Sequence, residues 1–172
     1  MKQDSNHRNK RFKQSLRNLV IIGIVIVIAT GLSANIGLSK GQSNSKSNPI
    51  IMHIHPHLTI IMDGKPFTVA NQIGIDLPLW IDHTLDKYGM QEMAMVGGTM
   101  PGMAPLHTHD SSGIIHVESS VNRIYTLGEF FKVWGLNLNG KTVKATVDGK
   151  PVPDFKNIVL KDGGQIALDI KS

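Results

Sequence analysis

Thr126-Leu127-Gly128-Glu129-Phe130-Phe131-Lys132-Val133-Trp134-Gly135 is the stretch that decides the fold class of this 172-residue chain. Leu127, Phe130, Phe131 and Trp134 recur at i, i+3, i+4 and i+7, which predicts a helix with one apolar stripe facing a core. Thr126 and Glu129 have capping-box spacing, and Gly135 stands where a left-handed residue closes the last turn. On either side the pattern changes to short strands. Leu58-Thr59-Ile60-Ile61-Met62 and Pro66-Phe67-Thr68-Val69 flank Asp63-Gly64-Lys65, a hairpin signal, and alternation turns Leu58, Ile60 and Met62 to the core. Val147-Asp148-Gly149-Lys150-Pro151-Val152 reuses that turn chemistry, and Asp162-Gly163-Gly164 precedes a last strand from Gln165 to Ile170. Two strands, one helix and then further strands give an α+β order, with the helix packed on one face of a mixed sheet.

The run from Thr126 to Gly135, then Ala145-Thr146-Val147-Asp148-Gly149-Lys150-Pro151-Val152, then Val159 to Leu168 resembles the second half of ubiquitin-like β-grasp domains of the sulfur-carrier type. The resemblance covers about the last 47 residues and implies a β-grasp-like domain. It does not bring sulfur-carrier activity with it. Those carriers act through a C-terminal Gly-Gly, and this chain ends Asp169-Ile170-Lys171-Ser172. With its histidine blocks, Met52-His53-Ile54-His55-Pro56-His57 and Leu106-His107-Thr108-His109-Asp110, the domain as a whole also resembles membrane-anchored, histidine-rich prokaryotic proteins, a resemblance that supplies no activity.

The N-terminal part carries a different signal. Residues 1–18 hold Lys2, Arg8, Lys10, Arg11, Lys13 and Arg17 against Asp4 alone, and 19–39 is uncharged with an aliphatic centre from Leu19 to Ala29. About 20 such residues suffice to cross a bilayer, and the basic flank predicts a cytoplasmic N-terminus. The expectation is a basic cytoplasmic tail (1–18), a transmembrane helix or uncleaved signal anchor (19–39), a flexible linker (40–49) and an exported domain (50–172). That is a single-pass cell-membrane protein with an extracytoplasmic C-terminal domain and room for a membrane-protein partner. A cleavable signal peptide, with Gly31-Leu32-Ser33-Ala34 as the cleavage region, is the competing reading. Beyond the tail, twelve basic residues balance twelve acidic ones, so the net charge of +5 is no argument for a nucleic-acid partner.

Chemistry is concentrated in histidines. His53, His55 and His57 alternate in Met52-His53-Ile54-His55-Pro56-His57, and His107, His109 and His116 follow in Leu106-His107-Thr108-His109-Asp110 and Ile115-His116-Val117-Glu118. An extended backbone puts alternate residues on one face, and imidazole is the commonest metal ligand. If Asp110-Ser111-Ser112-Gly113 closes a hairpin, His107 pairs with His116 and His109 with Ile114, so three imidazoles converge with Glu118 beside them. Pro56 places the first histidine segment at a sheet edge or just outside it. The stretch 74–123 reads as an insertion, holding those three histidines, the isolated His83, and Met90, Met93, Met95, Met100 and Met103.

The expected ligands are therefore His107, His109, His116, His53, His55, His57 and Glu118, for copper or zinc. Thioethers nearby favour copper, and type 1 copper is excluded because the chain has no cysteine. No nucleophile motif, phosphate loop or dinucleotide fingerprint is present. The expected function is a membrane-anchored extracytoplasmic metal-binding protein serving metal handling or as an accessory subunit. The alternatives are a hydratase or hydrolase with zinc held by three histidines, and a metal-free interaction module.

Overall fold

The computed structural model describes residues 49–172. In chain order these form β1 (Met52–Ile54), β2 (His57–Met62), β3 (Lys65–Phe67), β4 (Met93–Met95), β5 (Gly98–Met100), β6 (Leu106–His107), β7 (His116–Ser119), α1 (Leu127–Trp134), β8 (Thr142–Val147), β9 (Lys150–Val152) and β10 (Gln165–Lys171). Short 3-10 turns lie at Leu77–Leu79, Asp86–Tyr88 and Phe155–Asn157.

Five strands make an open mixed sheet in the order β3-β2-β10-β8-β9, with β10 parallel to β2 and antiparallel to β8. Its two hairpins turn on Asp63-Gly64 (φ 51° and 80°) and Asp148-Gly149 (φ 49° and 75°). Left-handed conformations at both central positions match the twist of the flanking strands, which is why Asp-Gly pairs occur there. Helix α1 starts with the full capping box: Glu129 N–H donates to Thr126 Oγ1, and Thr126 N–H donates to the Glu129 carboxylate at 2.9 Å. It ends at Gly135 with φ 78°. Leu127, Phe130 and Phe131 are buried and Trp134 packs against the same core, which includes Leu58, Ile60, Ile166, Leu168 and Ile170 from the sheet.

A second sheet of three strands runs β1-β7-β6, antiparallel throughout, and β4-β5 is a separate two-stranded ladder. Leu106, Ile115 and Val117 carry the second sheet into the common core. This corrects the expectation of a β-grasp-like domain bearing an insertion at 74–123. The described residues form an α+β fold with one main helix and an open mixed sheet. The second sheet, whose first strand precedes β2, is integral to the core and is no appendage.

The membrane expectation is corrected as well. Among the described residues no helix is long and apolar enough to cross a membrane. Helix α1 has 8 residues, about 12 Å at ~1.5 Å per residue, against ~30 Å of hydrocarbon. The tail at 1–18, the span at 19–39 and the linker up to residue 48 lie outside the described residues. The single-pass anchor, the extracytoplasmic placement, the membrane-protein partner and the membrane-anchored metal-handling function find no support among the described residues.

Candidate metal centre

Strand pairing assembles the histidines. The β6–β7 ladder sets His107 opposite His116, and the β1–β7 ladder sets His53 opposite Glu118. On β7 the alternation buries Val117 and Ser119 and leaves His116 and Glu118 on the other face. His107 and His109, two residues apart, join that face, as do His53 and His55. His107 stacks on His116 with centroids 5.5 Å apart and planes at 15°, while His109 meets both edge-on at 4.8 and 4.5 Å. Two sets of ligand atoms result, each within 4.8 Å of one another: His107, His109, His116 and Glu118, and His53, His55 and His116. These clusters of His and Glu could hold a metal ion.

The His-Thr-His segment is held from behind. Thr108, fully buried, donates through Oγ1 to the Ala70 carbonyl at 2.8 Å and accepts from Ile73 N–H at 3.1 Å. Its own N–H donates to the Ile73 carbonyl at 3.1 Å, and Gln72 N–H donates to its carbonyl at 3.0 Å. With Thr108 pinned into the 70–73 loop, the rings on either side of it turn together to the opposite side, His107 buried and His109 exposed. The His107 Nδ1–H donates to the Ala104 carbonyl at 2.8 Å, which selects the tautomer with a bare Nε2. That nitrogen faces His109 Nε2 at 3.2 Å. Two nitrogens bound at ~2.05 Å to a tetrahedral ion would lie about 3.3 Å apart, so this pair already has ligand spacing. His116 Nδ1 is buried without a hydrogen-bond partner, 3.8 Å from Glu118 Oε1.

Burial pushes the His107 imidazolium down to about 3, with the Ala104 carbonyl opposing and His109, His116 and His53 adding repulsion. Burial also lowers His116, helped by His109 and His55 and opposed by Glu118. Both rings are thus neutral near pH 7, the form that ligates metals. His107 is buried while His109 is exposed, so the cluster opens to solvent on one side.

Other expected ligands are placed differently. His57 joins neither set: its ring Nε2 donates to the Ser112 carbonyl at 2.9 Å, and it bridges to Ile114, the partner expected for His109. His55 lies at the outer edge, its backbone N–H on Asp162 Oδ1 at 2.9 Å. His83 joins neither set: its Nδ1 lies 2.8 Å from Asp86 Oδ2 and its ring is tilted against Trp80 with centroids 5.1 Å apart. The methionines form a small hairpin, Met93 opposite Met100 and Met90 bridged to Met103. Sequence reasoning missed Thr108 and Ala104. For Thr108 the signal was available, since a residue between two same-face histidines must point to the opposite side.

Comparison with known proteins finds no family, no curated protein and no solved structure that matches this chain. The resemblances to sulfur-carrier β-grasp domains and to membrane-anchored histidine-rich proteins are therefore not upheld: the first rested on turn and helix signals that many α+β folds share, the second on the histidine blocks alone.

Proposed function

We propose that the domain binds a zinc ion at His107, His109 and His116 and uses it to activate water for hydration or hydrolysis. The observation that carries the reading is the 3.2 Å approach of the His107 and His109 Nε2 atoms, with His107 fixed by its Nδ1–H bond to Ala104. Three imidazoles leave a fourth tetrahedral position open, the arrangement of catalytic rather than structural zinc. Zinc held this way lowers the pKa of a bound water to about 7. The Glu118 carboxylate, converging with these three imidazoles and 3.8 Å from His116 Nδ1, adds negative charge beside the ion. An all nitrogen and oxygen donor set suits zinc and also admits Cu(II).

The test titrates zinc and copper separately into the full chain and into His107→Ala/His109→Ala. The wild type should take up zinc with micromolar or tighter affinity, roughly 8 kcal/mol or more, and the double variant should bind at least ~100-fold more weakly. Zinc uptake no tighter than about millimolar, or copper outcompeting zinc by more than the ordinary divalent order, overturns the assignment. The zinc-loaded chain should also turn over CO2 or an activated ester, and lose that turnover to a chelator. A fully loaded protein inert toward both refutes the water-activating part.

A further inference from the structure

His116 belongs to both sets of converging ligand atoms, yet a neutral imidazole has a single lone pair to give. It can serve one ion. If His107 and His109 claim it, His53 and His55 remain as a second pair of imidazoles with ring centroids 4.6 Å apart, their side chains 53% and 41% exposed. Their centroids lie 6.3 and 4.8 Å from that of His116, so the two pairs flank one ring. Glu118 also touches both sides. Its Oε1 is 2.9 Å from His53 Nε2 and 3.8 Å from His116 Nδ1, and its carboxylate converges with His107 and His109. Unlike His116 it has two ligating oxygens. Asp162, 3.7 Å from His55 Nδ1, supplies further negative charge at the outer edge.

We propose that a second divalent ion binds at His53 and His55, with the Glu118 carboxylate bridging it to the ion at His107, His109 and His116, which becomes five-coordinate and so keeps a position for water. The inference rests on the one-ion reading above and extends it to a two-metal centre, in which ions typically stand ~3.5–4 Å apart and share a bridging ligand. The buried position fills first, and the exposed pair completes the centre once Glu118 is engaged.

The experiment loads the full chain with zinc, measures metal per chain by elemental analysis after dialysis, and repeats this for His53→Ala/His55→Ala and Glu118→Gln. Melting curves confirm that each variant folds. Two equivalents in the wild type and one in both variants is the expected result. Two equivalents of Cu(II) should in addition give the half-field resonance of a spin-coupled pair, absent in Glu118→Gln. One equivalent in the wild type, unchanged in His53→Ala/His55→Ala, overturns the second ion while leaving the one-ion centre standing. Two equivalents retained by His53→Ala/His55→Ala place the second ion elsewhere and also overturn it. If only Glu118→Gln keeps both ions, the bridge is overturned. No uptake at all overturns the one-ion reading together with this one.

Discussion

Thr108 decides how two histidines separated by one residue come to face each other. Its hydroxyl sits between the Ala70 carbonyl and the Ile73 N–H, both reached within 3.1 Å, in a fully buried position. Valine has the same shape and neither bond. Thr108→Val should therefore cost about 1–3 kcal/mol, the penalty of leaving buried polar groups unpaired. It should also weaken zinc binding about tenfold by loosening the His107–His109 spacing. Chemical denaturation and zinc titration of the same preparation check both effects. Unchanged zinc affinity would show that strand pairing alone sets the spacing. Gly113 has a related role: at φ 89° its Cβ would run into the Leu58 carbonyl, while its own carbonyl accepts the Leu58 N–H at 2.8 Å. The absence of a side chain there lets the histidine-bearing turn dock on β2.

Helix α1 separates local from tertiary sources of stability. Its capping box is a local device, and Thr126→Ala should cost about 1 kcal/mol. Phe130, with no exposed surface, is a tertiary device, and Phe130→Ala should cost about 3–5 kcal/mol through lost burial and the cavity left behind. Equilibrium urea unfolding distinguishes the two. A loss at Phe130 no larger than at Thr126 would mean that the apolar stripe is not core. Neither residue belongs to the sets of converging ligands, so zinc stoichiometry should stay at the wild-type value in both.

Across the whole molecule, the buried histidines link folding to pH. His107 is held at about 3 in the fold, against an ordinary value of about 6.5 in the unfolded chain. Protons therefore favour the unfolded state between those values. The stability this group supports is complete above about pH 6.5 and is lost as pH falls toward about 3, at up to about 1.4 kcal/mol per pH unit. His116 is shifted in the same direction, by burial first. Metal-free chain, kept with a chelator, should thus melt at progressively lower temperature from pH 6.5 to 5, a range above most carboxylate titrations. Free zinc at 100 times its Kd should add about 2.7 kcal/mol at pH 7, with the gain shrinking on acidification as protons compete for the same nitrogens. A melting temperature flat from pH 7 to 5 without metal would show that His107 is not held neutral by burial.

Sequence alone determined what depends on neighbours a few residues apart. The helix from Leu127 to Trp134, its Thr126–Glu129 cap and Gly135 stop, the Asp63-Gly64 and Asp148-Gly149 turns, and His107 opposite His116 across a short loop are all legible there. Each is set by backbone preference and side-chain period over one or two turns of chain. Tertiary structure decided the partners. Alternation gives His53 a face but names no strand for it to join, and β1 pairs with β7, far along the chain, instead of extending the sheet that β2 begins. The β-grasp expectation failed at that step, because turn and helix signals do not encode how strands divide between sheets. His57, identical in type and phase to His53 and His55, is diverted to Ser112, and His116 comes to stand between two sets of ligands. Those outcomes follow from which distant strands bury the most apolar surface together, a property of the packed core that no local window contains.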